Sequence, residues 1–266
     1  MIDIAIRGGL VIDGTGAQRY QADVGILNDQ IVEIGRVSAA NREIDATGLI
    51  VSPGFVDPHS HSDFTMHVNP LAQSTVRQGV TTEIVGNCGF SSAPITPRSV
   101  KQIAGRLKGY GFEGDPVWRT MDEYFSHIEA DGVSANFAFF IGHNSLRHAA
   151  GLDGDETVTD EHLKIMSDLV AESMEAGALG LSTGLEFLPG KFAKTEEIEH
   201  LAKVVGKYGG VYTSHVRNRD SEIFSSMSEF LQIAKTGNVV AQLSHFNVRF
   251  DTNAPENAWE RAVGML

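Results

Sequence analysis

The chain has 266 residues, of which 42% are hydrophobic and 21% are charged, a composition typical of globular proteins. Its 21 lysines and arginines stand against 34 aspartates and glutamates, which gives a formal charge of −13. This balance argues against nucleic acid or an anionic membrane surface as a partner, because basic side chains provide most of the affinity for both. No apolar run reaches the length of about 18 residues that a membrane span needs.

A single cysteine, Cys88, excludes an intramolecular disulfide, so nothing in the sequence indicates an oxidising compartment. The first nine residues lack the basic region and apolar run of a signal peptide. We therefore expect a cytoplasmic protein. The sequence leaves its oligomeric state open.

Short apolar segments separated by turn residues fill residues 1–52. The segments 22–27 and 30–35 flank Asn28-Asp29, a spacing that suits a β-hairpin. This region is predicted to be a small β module.

From residue 53 onward, apolar segments that end in polar residues alternate with helical periodicity. Helices are predicted at 160–176, with Thr159 as its N-cap, and at 196–208. His215 follows Gly184 by 31 residues and precedes His245 by 30, close to the roughly 30 residues per unit of a (β/α)₈ barrel. A doubly wound open sheet has similar spacing, so both architectures remain open at this point. The predicted strands are 54–59, 81–86, 135–142, 178–182, 210–215 and 239–245.

Four histidines and the cysteine lie at or just after the ends of predicted strands. His59 and His61 alternate along one strand and so share a face. Cys88, His215 and His245 each follow or end another strand. Alone, an H-x-H pair is a weak signal and a lone cysteine is usually a core residue. Together they predict a shared metal site, because strand ends meet at one face of a barrel and because thiolate and imidazole are zinc ligands.

Two further residues are candidates for contact with a substrate. His143 directly follows the strand 135–142 and could line the same pocket. Arg147 could bind a carboxylate, or it could form a surface salt bridge. The remaining histidines are interpreted as surface or capping residues: His67, His127, His148, His162 and His200.

Several segments resemble the amidohydrolase superfamily. Residues 54–61, G-F-V-D-P-H-S-H, resemble the first-strand motif of that superfamily. Residues 76–89, V-R-Q-G-V-T-T-E-I-V-G-N-C-G, resemble its N-acyl-D-amino-acid deacylase (D-aminoacylase) branch, in which a cysteine follows the second barrel strand. Further matches to this branch lie at 136–147, 177–189 and 212–217.

The resemblance implies a (β/α)₈ barrel over residues 53–266, with about six of its eight strands present. It implies that residues 1–52 form part of a small β-sandwich. It also implies a zinc-dependent hydrolase that cleaves the amide of N-acyl-D-amino acids, with a small molecule as its partner. Among the metal ligands it implies, Cys88 and His215 hold Zn²⁺ tightly, and the other metal position is formed by His59, His61 and His245.

The same resemblance implies features that this sequence lacks. The catalytic aspartate of the family follows the eighth strand, so no catalytic residue is identifiable here and activity is expected to need C-terminal residues. Phe187 stands where many relatives carry a tyrosine that can contact substrate, and is a candidate substrate-binding residue. Phe246-Asn247 replaces a basic or histidine-rich pair.

Two alternatives remain open. The chain could be a non-catalytic, truncated barrel fragment that serves as a binding module. It could also be a cyclic-amide hydrolase or deaminase of the same superfamily. Cyclic-amide hydrolases of the dihydropyrimidinase type carry a carboxylated lysine on strand four, whereas no lysine lies between Lys164 and Lys191. The sequence therefore favours the branch with the cysteine.

Overall fold

A computed structural model describes residues 1–249 and 253–266 of the protein. The chain divides into two compact units, Met1–Phe55 and Val56–Leu266. The boundary that the sequence predicts after residue 52 remains a prediction. No helix in the described part of the chain is both long enough and apolar enough to cross a membrane.

The first unit contains one five-stranded sheet. Its strand order is β3-β2-β1-β4, and β5 also pairs with β1. The pairs β1–β2 and β2–β3 are antiparallel, and β1 runs parallel to β4 and β5. Asn28 and Asp29 connect β2 to β3 with φ of 47° and 59°, so the predicted hairpin is confirmed. The strands are β1 (Ile2–Val11), β2 (Tyr20–Leu27), β3 (Gln30–Gly35), β4 (Ala40–Asp45) and β5 (Ile50–Val51).

The second sheet has six strands in sequential order from β6 to β11, and the pairs from β7 to β11 are parallel. Sequential parallel strands with intervening helices are the arrangement of a (β/α) barrel, here with six of eight strands, as the sequence predicts. The strands are β6 (Phe55–Asp57), β7 (Val80–Val85), β8 (Asn136–Gly142), β9 (Gly180–Gly184), β10 (Val211–His215) and β11 (Val240–Leu243).

Helices separate these strands along the chain. The predicted N-cap of the helix Asp160–Glu175 is confirmed, since the Thr159 hydroxyl accepts a hydrogen bond from the backbone N–H of His162. Short 3₁₀ helices occupy Ser62–Phe64 and Gly190–Phe192. The α-helices are α1 (Gln73–Val76), α2 (Val100–Gly109), α3 (Met121–Asp131), α4 (His143–Ala150), α5 (Asp160–Glu175), α6 (Thr195–Lys207), α7 (Ile223–Gly237) and α8 (Ala258–Val263).

The main hydrophobic core lies between this sheet and its helices. Leu181 of β9 and Tyr212 of β10 are fully buried, as are Ile198, Leu201 and Val205 along one face of α6. The spacing of these three helix residues matches the 3.6-residue period that the sequence shows. Packing of this kind fixes the strand ends, and therefore fixes the side chains that follow them.

Candidate metal centre

Four of the five predicted ligands meet at the carboxyl ends of the strands. The sulfur of Cys88 lies 3.3 Å from Nε2 of His59, 3.4 Å from Nε2 of His245 and 3.8 Å from Nδ1 of His215. His59 follows β6, Cys88 follows β7 and His245 follows β11, whereas His215 is the last residue of β10. The sheet thus brings together side chains that are as far apart in the chain as His59 and His245, 245 − 59 = 186 positions.

These distances fit a zinc ion. Zn–S bonds of about 2.3 Å and Zn–N bonds of about 2.0–2.1 Å at a tetrahedral angle place sulfur and nitrogen about 3.6 Å apart. The three observed separations lie on either side of that value. The ligand atoms of His59, Cys88 and His245 all lie within 4.8 Å of one another. A thiol with several imidazoles is a donor set that suits zinc, and not the hard cations Mg²⁺ or Ca²⁺.

His61 lies at the margin of this cluster. Its ring stands edge-on to that of His59, with the ring centroids 5.4 Å apart. The His215 and His245 rings also meet edge-on at 4.6 Å. Cys88 lies closer to His59 and His245 than to His215, and the division of these ligands between two metal positions remains a prediction.

The backbone around Cys88 is held in an unusual conformation. Cys88 has φ of +53° and His245 has φ of +31°, in the left-handed region that non-glycine residues seldom adopt. Gly184 permits the approach of this loop, because a Cβ at that position would lie 2.0 Å from the carbonyl oxygen of Cys88. Strained backbone of this kind is concentrated at functional sites.

Burial sets the protonation states of the ligands. Desolvation lowers the pKa of His59 to about 4 and that of His215 to about 4, so both imidazoles are neutral at pH 7 and free of a competing proton. Desolvation raises the pKa of the Cys88 thiol to about 11. A metal ion that binds here must therefore release the proton of this thiol.

Glu186 is a residue of the centre that the sequence analysis missed. It follows β9, and its Oε2 accepts hydrogen bonds from Nε2 of His215 at 2.7 Å and from Arg219 and Arg249 at 3.1 and 2.5 Å. Burial opposes ionisation of this carboxylate, but these three hydrogen bonds keep its pKa below the ordinary value. The available signal was its position just after a strand. The predicted strand stops at residue 182, whereas the strand in the structure continues to Gly184, two residues before Glu186.

Arg219 is a second residue that the sequence did not indicate. Its Nη1 lies 3.3 Å from Nδ1 of His245 and 3.3 Å from Oδ1 of Asn247. Because a guanidinium only donates, this contact favours the His245 tautomer with its lone pair on Nδ1. Metal binding through Nε2 of His245 therefore requires Arg219 to give up this contact. The Arg219 Nε is buried and has no hydrogen-bond partner among the described residues.

The predicted substrate contacts fall in two different places. His143 and Arg147 are fully buried, and both bind Glu197, at 2.8 and 2.7 Å. This placement departs from the substrate role, and from the surface salt bridge considered for Arg147, because neither residue presents surface to a ligand. Phe187 lies beside the centre, where its ring meets that of His215 at 4.6 Å, and its contact with substrate remains a prediction.

Comparisons with known proteins identify relatives of this chain. The model of the amidohydrolase family matches residues 42–240. An N-acyl-D-glutamate deacylase from Alcaligenes xylosoxydans xylosoxydans is 37% identical over 259 residues, which are 97% of this chain and 52% of that protein. A D-aminoacylase from the same organism is 34% identical over 256 residues, with 94% and 52% covered. The chain thus spans about half the length of the curated relatives it matches.

Solved structures give the same picture. The N-acyl-D-glutamate deacylase from Bordetella bronchiseptica, complexed with zinc and a phosphonate inhibitor, superposes with a TM-score of 0.88 at 34% identity, over 99% of this chain and 56% of that one. A D-aminoacylase with a binuclear metal centre gives a TM-score of 0.83 at 32% identity, over 93% and 52%. A D-hydantoinase, at 16% identity and a TM-score of 0.60, shares the fold.

Proposed function

The chain belongs to the amidohydrolase family, and from that premise we propose that it carries the metal centre of a zinc-dependent hydrolase that cleaves the amide bond of N-acyl-D-amino acids. The observation that carries the proposal is the convergence of the Cys88 sulfur with His59, His215 and His245 at distances that suit zinc. The substrate class is taken from relatives that are named as deacylases of N-acyl-D-amino acids.

Some residues of the centre would hold the metal ion, and others orient the side chains that hold it. Cys88 and the three imidazoles would hold the ion, which when bound polarises a carbonyl oxygen and lowers the pKa of a water towards about 7. Glu186 fixes the His215 ring through Nε2, so that Nδ1 is the nitrogen turned to the sulfur. Phe187 would cover one side of the centre and exclude water from it.

The charge around the centre supports an anionic substrate. The guanidinium of Arg219 lies beside the ligands, with Nη1 3.3 Å from Nδ1 of His245 and Nη2 3.1 Å from Oε2 of Glu186. An N-acyl-amino acid carries a carboxylate at neutral pH, and a guanidinium next to the metal ligands is a group that binds carboxylates.

Proton transfer to the leaving amine needs a further group. We assign no such acid or base to the described residues, and we propose that residues outside these 266 supply it. Relatives about twice as long as this chain support that proposal. General acid–base catalysis contributes about 10²- to 10⁴-fold, so this chain by itself is expected to turn over slowly.

The test combines metal analysis with a substrate panel. The purified protein is expected to contain zinc, and the Cys88→Ala variant is expected to lose it. The chain, alone and joined to a C-terminal half from a relative, is assayed on N-acetyl-D-glutamate, N-acetyl-D-leucine and their L-enantiomers, beside dihydrouracil and adenine. Release of D-amino acid supports the proposal.

Three results would contradict it. Zinc in the joined protein without hydrolysis of any member of the panel would favour a binding module. Turnover of dihydrouracil or adenine alone would favour a cyclic-amide hydrolase or deaminase. Absence of zinc from the unmodified protein would remove the basis of the assignment.

A further inference from the structure

Away from the barrel centre, His67, His127 and Asp131 form a second cluster of metal-binding groups. We propose that these three residues bind a divalent transition-metal ion. One ligand atom from each residue lies within 4.8 Å of those of the other two. Nε2 of His127 is 3.4 Å from Oδ2 of Asp131, and the rings of His67 and His127 have centroids 5.4 Å apart.

Two separate segments build this cluster. His127 and Asp131 are four residues apart on α3 and so project from the same face of the helix. His67 comes from the loop after the 3₁₀ helix Ser62–Phe64, sixty positions earlier in the chain. A bound ion would connect this loop to the last turn of α3, although the two segments are distant in the chain.

The surroundings hold the rings in place. Trp118 stacks on His67 with the centroids 4.9 Å apart and the planes at 20°, and it lies 4.8 Å from the ring of His127. The Tyr124 hydroxyl donates to the carbonyl of Asp63 at 2.6 Å, so in its 3.3 Å contact with Nε2 of His67 it is the acceptor. His67 then keeps a lone pair on its other ring nitrogen. A neighbour that fixes ring and tautomer is typical of histidine ligands to metals.

An aromatic stack alone does not account for all three residues. Stacking would place His67 and His127 against Trp118, and an ion pair would place Asp131 beside His127. Neither contact by itself requires the ligand atoms of all three residues to lie within 4.8 Å of one another. The two histidines are partly buried and Asp131 faces solvent, so an ion can enter and retain water as its remaining ligands. The sequence analysis interprets His67 and His127 as surface or capping residues, and in the structure both are partly buried.

The donor set defines the class of ion. Two imidazoles and one carboxylate suit Zn²⁺, Co²⁺, Ni²⁺ or Cu²⁺, and give Mg²⁺ and Ca²⁺ too few oxygen ligands. The absence of sulfur separates this site from the barrel centre spectroscopically, because a Co²⁺ ion bound by Cys88 would show thiolate charge-transfer absorption and one bound at His67 would not.

The test first removes two ligands of the barrel centre. A His59→Ala/Cys88→Ala double variant is titrated with Co²⁺ alone, and bound metal is followed by d–d absorption and equilibrium dialysis. We expect one equivalent of Co²⁺ without charge-transfer absorption. Adding His127→Ala, or the milder Asp131→Asn, is expected to weaken this binding at least tenfold. Zn²⁺ at 100 times its Kd is expected to raise the unfolding midpoint by about 5–10 °C.

The matched control is His148→Ala. His148 also pairs with a nearby carboxylate, that of Asp153, but without a second imidazole in the group. This substitution is expected to leave the titration unchanged. Less than a tenth of an equivalent bound at 100 µM Co²⁺, or binding that survives both His127→Ala and Asp131→Asn, would overturn the proposal. Because His59 and Cys88 are replaced in every protein compared here, either result leaves the proposed hydrolase function untouched.

Discussion

The carboxylate of Glu186 accepts a hydrogen bond from Nε2 of His215 at 2.7 Å, while Nδ1 of the same ring lies 3.8 Å from the sulfur of Cys88. A carboxylate behind a histidine ligand fixes the ring and makes it a stronger donor to a metal. Glu186 also balances the charge of Arg219 and Arg249, so it connects the ligand set to its basic surroundings.

Glu186→Gln is therefore expected to weaken zinc binding. The amide keeps the shape of the side chain but loses its charge, and loss of such a partner typically costs about 10- to 100-fold in metal affinity. Competition with a chromophoric chelator measures the change in Kd. Glu199→Gln is the control, because the Glu199 carboxylate accepts hydrogen bonds from Gln232 and Thr236 of α7 and not from a metal ligand. Equal affinities of the two variants would contradict the role of Glu186.

Gly184→Ala is expected to disturb the Cys88 loop. The added Cβ would lie 2.0 Å from the carbonyl oxygen of Cys88, so the loop must move, at a cost of about 1–3 kcal/mol. The free energy of unfolding measured in urea and the zinc content would both fall. The control is Gly105→Ala in α2, where nothing lies within 4 Å of the new Cβ and alanine favours a helix by about 1 kcal/mol. Undiminished zinc content in Gly184→Ala would show that the loop tolerates the methyl group.

Glu197→Ala is expected to destabilise the protein strongly. Glu197 binds both His143 and Arg147, and removing it leaves a fully buried guanidinium without its charge partner, at a cost of about 3–5 kcal/mol. The free energy of unfolding in urea measures this loss. Asp168→Ala breaks the exposed Lys164–Asp168 pair instead and is expected to change stability by no more than about 1 kcal/mol. Similar losses in both variants would argue against a stabilising role for the buried network.

Asp63 is expected to make stability depend on pH. Complete burial raises its pKa from 3.8 to about 7. Between these values the folded protein holds a proton that the unfolded chain releases, so stability falls as pH rises from about 4 to 7. Below that range Asp63 is protonated in both the folded and the unfolded state, so its ionisation does not affect the free energy of unfolding. Above that range its ionisation lowers the free energy of unfolding by the full amount, on the order of 4 kcal/mol.

Asp63→Asn removes this titration. Unfolding in urea at pH 5.0 and 7.5 compares the two proteins, and the variant is expected to gain stability relative to the unmodified protein at the higher pH. Parallel pH dependence of the two would show that Asp63 keeps an ordinary pKa.

Much of the second unit can be read from local pattern. Strand positions, the Thr159 cap and the helical face of Ile198, Leu201 and Val205 follow from side-chain periodicity and capping, which act over a few residues. Placing Cys88 and the histidines after strand ends already predicted that they would meet, since the carboxyl ends of barrel strands share one face. The sequence by itself thus determined the type of fold and the residues of the candidate metal centre.

Tertiary structure alone decided which charges pair. Arg147 binds Glu197 fifty positions away, Glu186 contacts His215 and two arginines, and His67 meets His127 and Asp131 across sixty or more positions. Such partners depend on the relative placement of whole helices and loops, and a polar side chain carries no local signal of which distant partner it will find. Periodicity fixes the direction in which a side chain points, whereas packing of the elements fixes what it meets there.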